Sequence, residues 1–106
     1  MSGNNKNSEL LRLKIEKWAQ DRNIDQFENR FQQLVKLSEE VGELSGAILK
    51  DKTFDAQDAI GDIQVVLIIL CKQLKFDYET CLAMAWETIK NRKGKTVNGT
   101  FIKEEK

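Results

Sequence analysis

The chain has 106 residues, which suits one domain with a modest core that a partner subunit would enlarge. It carries 17 basic and 17 acidic residues, so its net charge gives no electrostatic reason to expect duplex nucleic acid or an anionic membrane as partner. There is no His, only two Cys (Cys71 and Cys81, without CxxC spacing) and no Pro. Imidazole bases and His-ligated zinc are therefore excluded, and a structural zinc site within one chain is disfavoured. Any metal must be held by oxygen, which favours Mg²⁺, Mn²⁺ or Ca²⁺. The polar N-terminal stretch does not read as a signal peptide, and the thiols read as ordinary reduced ones, so a cytoplasmic protein is expected. The longest apolar run, Ile63 to Cys71 with Gln64 inside it, falls short of the roughly 20 residues that span a bilayer.

In chain order, the first helix is expected from about Ser8 to Gln20. Leu10, Leu11, Leu13, Ile15 and Trp18 are its apolar positions, and Ser8 is a candidate N-cap. A second helix is expected from about Gln26 to Lys50, where Phe27, Phe31, Leu34, Leu37, Val41, Leu44 and Ile48 recur three and four residues apart. A break follows at Asp51 to Asp55, with Thr53 as a candidate cap. The third helix, about Phe54 to Leu74, is apolar nearly all round in its second half. β-Branched runs also suit buried strands, but the length of the pattern and the absence of a breaker favour a central, buried helix. The fourth runs from about Tyr78 to Arg92, capped by Asp77, with Leu82, Ala85, Trp86 and Ile89 as its stripe. Asn98-Gly99 between Thr96-Val97 and Thr100-Phe101-Ile102 signals a short hairpin, with a frayed tail as the alternative. The expected fold is all-α: a four-helix bundle in one domain, 1–106, completed by oligomerisation, with flexible ends at 1–7 and 103–106.

Two acidic groups carry the chemistry. Glu39, Glu40 and Glu43 sit on the second helix, with Glu40 at the edge of the apolar stripe and Glu43 a little further round. Taken alone, that run fits a solvated acidic face as well as a ligand set. Asp55, Asp58 and Asp62 share one face of the third helix, and that face continues as Val65 and Ile69. A carboxylate in line with a core stripe needs a partner, a proton or a metal. Pairing with Lys or Arg is one answer, and helix-start placement another for Asp55 and Asp58. Asp62 lies too far into the helix for the second. Two carboxylate groups on adjacent helices read as an oxygen-ligand metal site.

The words KLSEEVGEL followed by AILK, then DAIGD and a long apolar run, resemble the MazG-like nucleoside triphosphate pyrophosphohydrolase family over about Ile15 to Ile102. The segment NRKGK with VNGTF is similar to the ending of small phage and prophage members. The resemblance implies a four-helix homo-oligomer, dimer or tetramer. It also implies Mg²⁺-dependent cleavage of (d)NTP between the α- and β-phosphates, giving (d)NMP and pyrophosphate.

Carried over position by position, Glu40, Glu43 and Asp62 match metal ligands, and Glu39 the leading glutamate. Glu39 and Glu40 are the candidate catalytic carboxylates. The second-motif glutamate falls on Ala59, which cannot bind metal, so Asp58 next door is the candidate replacement. Lys90, Arg92, Lys93 and Lys95 are candidates for holding phosphates, or for pairing with a helix C-terminus. Trp18, Arg22 and Asn23 resemble a segment near the base pocket, with core packing the alternative for Trp18. A non-catalytic nucleotide- or protein-binding module with an altered site, favoured by Ala59, and a purely structural helical oligomer are the competing readings.

Overall fold

The computed structural model describes residues 2–104, and side chains from residue 7 onward. Its order is α1 (Ser2–Asp21), a 3₁₀ turn (Phe27–Asn29), α2 (Arg30–Leu49), α3 (Thr53–Leu74), α4 (Tyr78–Ile89), β1 (Gly94–Val97) and β2 (Thr100–Lys103). The expected end segments lie partly outside the described residues, namely 1, 105 and 106. Residues 2–7 belong to α1 and Lys103 to β2.

The first helix begins well before Ser8, so Ser8 is interior rather than a cap. It ends where Asn23 takes a left-handed φ of 58° and Ile24 N–H returns to the Ala19 carbonyl at 3.1 Å. The second helix starts later than the spacing suggests. Phe27–Asn29 close a tighter 3₁₀ turn, and the Arg30 guanidinium stacks 3.7 Å from the Phe27 ring and 4.4 Å from the Phe31 ring.

The apolar run resolves as helix. α3 packs along α2 and also meets α1, the 3₁₀ turn and α4, so it is the hub of the body. Val66, Ile68 and Ile69 of α3 form the buried centre with Ala19 and Ala47. Gln73, fully buried, donates from Nε2 to the Ile24 carbonyl at 2.8 Å and ties the α1–α2 connection to the hub. α3 stops at Lys75, left-handed at φ 63°, with Phe76 N–H on the Cys71 carbonyl at 2.8 Å.

Thr53 proves to be the first helical residue of α3 rather than its cap; Lys52 holds the cap position and offers no side-chain bond. Asp77 does cap α4: its Oδ2 accepts from Thr80 N–H at 2.9 Å and from Thr80 Oγ1 at 2.8 Å. Those bonds hold the Asp77 carboxyl below its usual range. α4 has no buried residue, and its Leu82, Trp86 and Ile89 stripe is about half or more exposed. A salt bridge from Arg12 to Glu79, 2.8 Å, links it to α1. Burial, and then the neighbouring Cys81 thiol, pushes Cys71 up to about 11, so it stays a protonated thiol at neutral pH.

The hairpin forms as the Asn-Gly signal predicts. Asn98 and Gly99 both have positive φ (50° and 79°), the requirement of a tight two-residue turn, and Val97 pairs with Thr100. Every strand residue is exposed, and the backbone of the hairpin stands away from the described helices. No helix of the described chain is long and apolar enough to cross a membrane.

Candidate metal and phosphate cleft

The α2–α3 pair builds the site. Their 20- and 22-residue lengths bring Glu40 and Glu43 of α2 against Asp62 of α3, with Asp58 one turn before it. Between the helices lies a cleft of about 380 Å³. Glu43, Asp55, Asp58 and Asp62 line it, and the small side chains of Ala47 and Ala59 keep it open. Ala59 is buried, so the position where the family pattern has glutamate faces the cleft.

Glu40 is buried, at 5% exposure, and lies behind Glu43 and Asp62 rather than in the cleft lining itself. One oxygen, Oε1, meets Lys36 Nζ at 3.4 Å; the other, Oε2, has no hydrogen-bond partner. A buried carboxylate oxygen without a donor costs free energy unless a proton or cation reaches it. Its neighbours respond accordingly. The Glu40 charge, chiefly, raises the Glu43 carboxyl above its usual range. Asp62 is raised by desolvation first, then by the Asp58 and Glu40 charges. The cleft therefore concentrates negative charge and resists it.

Among the described residues, no three acidic or thiol side chains converge into a ready-made metal cage. The donor set still suits a hard divalent cation: carboxylates only, one orphaned buried oxygen, and raised affinity for any positive species. Glu43, Asp58 and Asp62 are the residues that would hold it, with Glu40 behind them.

The other expected site residues fall elsewhere. Glu39 is exposed and lies outside the cleft lining. Lys90 pairs with Glu87 at 2.6 Å; Arg92, Lys93 and Lys95 are exposed on the α4–hairpin arm and do not reach the cleft. Trp18 is 46% exposed, and the Arg22 guanidinium sits 4.3 Å from its ring and donates to its carbonyl at 3.1 Å. Asn23 makes the left-handed turn beside them. This trio is one stacked unit, apart from the carboxylates.

Sequence reasoning missed the two basic residues that do line the cleft, Lys50 and Lys52. A signal was present: they flank the break between the two acidic helices, and a short link between antiparallel helices must lie at one end of the groove between them.

The fold and cleft thus define a helical protein with a carboxylate-lined groove between α2 and α3. The chain is 44% identical over 63 residues to an uncharacterized 18.2 kDa protein of the rep-hol intergenic region of Haemophilus phage HP1 (strain HP1c1). The match covers 59% of this chain and 39% of that protein, so the chain spans well under half of its relative. No protein-family model matches, and no solved structure matches.

Proposed function

We propose that this chain is a Mg²⁺-dependent nucleotide pyrophosphohydrolase that cleaves a (d)NTP between its α- and β-phosphates, as its resemblance to the MazG-like family implies. The observation that carries the reading is the buried Glu40, with an unpartnered oxygen beside Glu43 and Asp62 at a carboxylate-lined cleft. Four acids on two facing helices would ordinarily be paired with Lys or Arg, and among the described residues only Glu40 is, through Lys36.

When bound, Mg²⁺ (or Mn²⁺) supplies charge neutralisation for the triphosphate and a polarised water. Glu43, Asp58 and Asp62 would hold that charge between α2 and α3. Glu40, the only one of the candidate catalytic pair that is buried, accepts the proton of the attacking water through its free oxygen. The water oxygen bonds to the α-phosphorus, the bond from the α-phosphorus to the bridging oxygen breaks, and that oxygen leaves with pyrophosphate.

Magnesium-dependent release of pyrophosphate from a panel of nucleotides tests this. Release that disappears in Glu40→Gln and Glu43→Gln supports it; no release from any nucleotide sinks it. A second reading is favoured by Ala59 and by the spread of the carboxylates: a non-catalytic module that binds nucleotide through the same cleft. Saturable nucleotide binding without turnover would select it.

The same reading includes a homo-oligomer, dimer or tetramer. Leu10 and Leu13 of α1, Leu34 and Val35 of α2, and Leu82 and Trp86 of α4 are each 46% exposed or more. So many exposed large apolar side chains are what a subunit interface would cover. A monomer in light scattering at micromolar concentration would refute it.

A further inference from the structure

The cleft has two chemically different ends. Its carboxylate end is Glu43 and Asp62, next to the unpartnered, buried Glu40 oxygen. Its other end is the link between α2 and α3, where Lys50 and Lys52 line the same space. We propose that Lys50 and Lys52 form a subsite for the two phosphates that leave as pyrophosphate. The inference rests on the hydrolase reading for the order in which the phosphates lie, and it names residues that reading does not supply.

The backbone fixes the two lysines as a pair. Lys52 N–H returns to the Ala47 carbonyl at 2.9 Å and Asp51 N–H to the Ile48 carbonyl at 3.2 Å, which closes the end of α2. Asp51 between them takes a left-handed φ of 55°, the conformation this closure needs. The link is therefore a built turn, with Lys50 on one side of it and Lys52 on the other.

Neither lysine is spent on an ion pair among the described residues, although Asp55 and Asp58 line the same cleft. The start of α3 itself is not free for an anion, because Asp55 in its first turn already answers its positive dipole end. Two unpaired ammonium groups therefore line one part of a cleft whose carboxylates Glu43, Asp58 and Asp62 would hold a cation. That arrangement matches a metal-bound polyphosphate, which is anionic along its length and carries the cation toward one side.

The spacing agrees. Seven residues of α2 separate Glu43 from Lys50, a rise of about 10 Å. A triphosphate together with an extended lysine side chain covers that distance. As the bond to the α-phosphorus breaks, negative charge grows on the departing pyrophosphate, and ammonium groups placed there stabilise it more than they stabilise the bound substrate. The basic residues of the α4–hairpin arm cannot serve within one chain, because they do not reach the cleft.

The test uses inorganic pyrophosphate as probe, by calorimetry on the full chain with Mn²⁺ present, and Mn²⁺ alone by electron paramagnetic resonance. In the double variant Lys50→Gln, Lys52→Gln, pyrophosphate affinity should fall about tenfold or more, the scale of lost charge-assisted hydrogen bonds. Mn²⁺ affinity should not change, and circular dichroism should report an intact fold, since both lysines are exposed. Lys93→Gln with Lys95→Gln should leave pyrophosphate affinity as it is. Parent-level affinity in the first double variant, or no pyrophosphate binding by the parent, overturns the subsite. Failure of the hydrolase reading looks different: pyrophosphate binds and depends on Lys50 and Lys52, yet no nucleotide is turned over.

Discussion

Lys36 Nζ lies 3.4 Å from Glu40 Oε1 across one turn of α2, and the two side chains are 55% and 6% exposed. The pair joins a solvated ammonium to a buried carboxylate. It partly offsets the burial of Glu40, and the Lys36 charge also acts to lower Glu43 and Asp62. It does not cancel the repulsion, since both carboxyls stay raised.

That residual repulsion predicts how stability depends on pH. Glu43 and Asp62 bind protons more tightly folded than unfolded, so metal-free stability falls as pH rises through their raised values. Asp77 works the other way: its lowered carboxyl contributes stability above the ordinary aspartate range, lost as pH falls through its folded value. In EDTA, melting temperature should therefore decline as pH rises from the ordinary carboxylate range through the raised values of Glu43 and Asp62, and Mg²⁺ should flatten the decline. Glu43→Gln should melt at or above the parent in EDTA at neutral pH while losing Mg²⁺-dependent turnover. A metal-free melting temperature that rises with pH over that interval would show that these glutamates are structural pairing groups.

Asp58 and Ala59 give a second prediction. Asp58 lines the cleft one turn from Asp62, and Ala59 is buried facing the same space. Asp58→Asn should reduce metal affinity or turnover roughly 10- to 100-fold, comparably to Asp62→Asn. Ala59→Glu should restore activity in the Asp58→Asn background, because the cleft of about 380 Å³ has room for the longer carboxylate. Metal titration and steady-state kinetics measure both. Parent activity in Asp58→Asn would leave the site to Glu39, Glu40, Glu43 and Asp62.

Gln73 predicts a stability effect unconnected with catalysis. Its Nε2 holds the Ile24 carbonyl at 2.8 Å from a fully buried position. Gln73→Ala strands that carbonyl and leaves a cavity at the hub, costing about 2–3 kcal/mol. Chemical denaturation should show a lower midpoint with unchanged slope. A cost near zero would mean that the α1–α2 connection does not depend on this bond.

Gly94 predicts that the hairpin can be undone separately. A Cβ there would run into the Ile102 carbonyl oxygen and lie 2.6 Å from Phe101 Cζ, and the backbone oxygen cannot step aside. Gly94→Ala should abolish the cross-strand nuclear Overhauser contacts between β1 and β2. The helical circular dichroism and melting of the body should stay within error, because the backbone of the hairpin stands away from the described helices. Loss of body stability would instead show that the arm docks on it, within one chain or between two.

The helices, their order and the hairpin turn were legible in the residues because each depends on local chemistry. Three- and four-residue apolar spacing, Asp77 ahead of Thr80, and Asn98-Gly99 each act over a few residues. The misjudged starts of α1 and α2 and the misassigned cap at Thr53 have a local cause too. Ser8 and Thr53 are common cap types, but a hydroxyl caps a helix only if the chain turns there, and at Lys52 the turn comes one residue sooner. The acidic faces were equally visible, because helical periodicity places Glu40 and Glu43, or Asp58 and Asp62, on one side of their own helix.

Which faces meet was a different matter. Composition and periodicity determined by themselves that this chain is helical, that its candidate chemistry is carboxylate chemistry, and that α3 is its most buried helix. Tertiary structure alone decided that Glu40 would be buried with one oxygen unpartnered, and that Lys50 and Lys52 would share a cleft with Glu43 and Asp62. It also left Arg92, Lys93 and Lys95 on an arm away from that cleft. The physical reason is range. Helix and turn preferences act between residues up to four apart, whereas the cleft depends on the α2–α3 crossing, which is set by small buried residues such as Ala47 and Ala59 packing across more than ten positions of sequence.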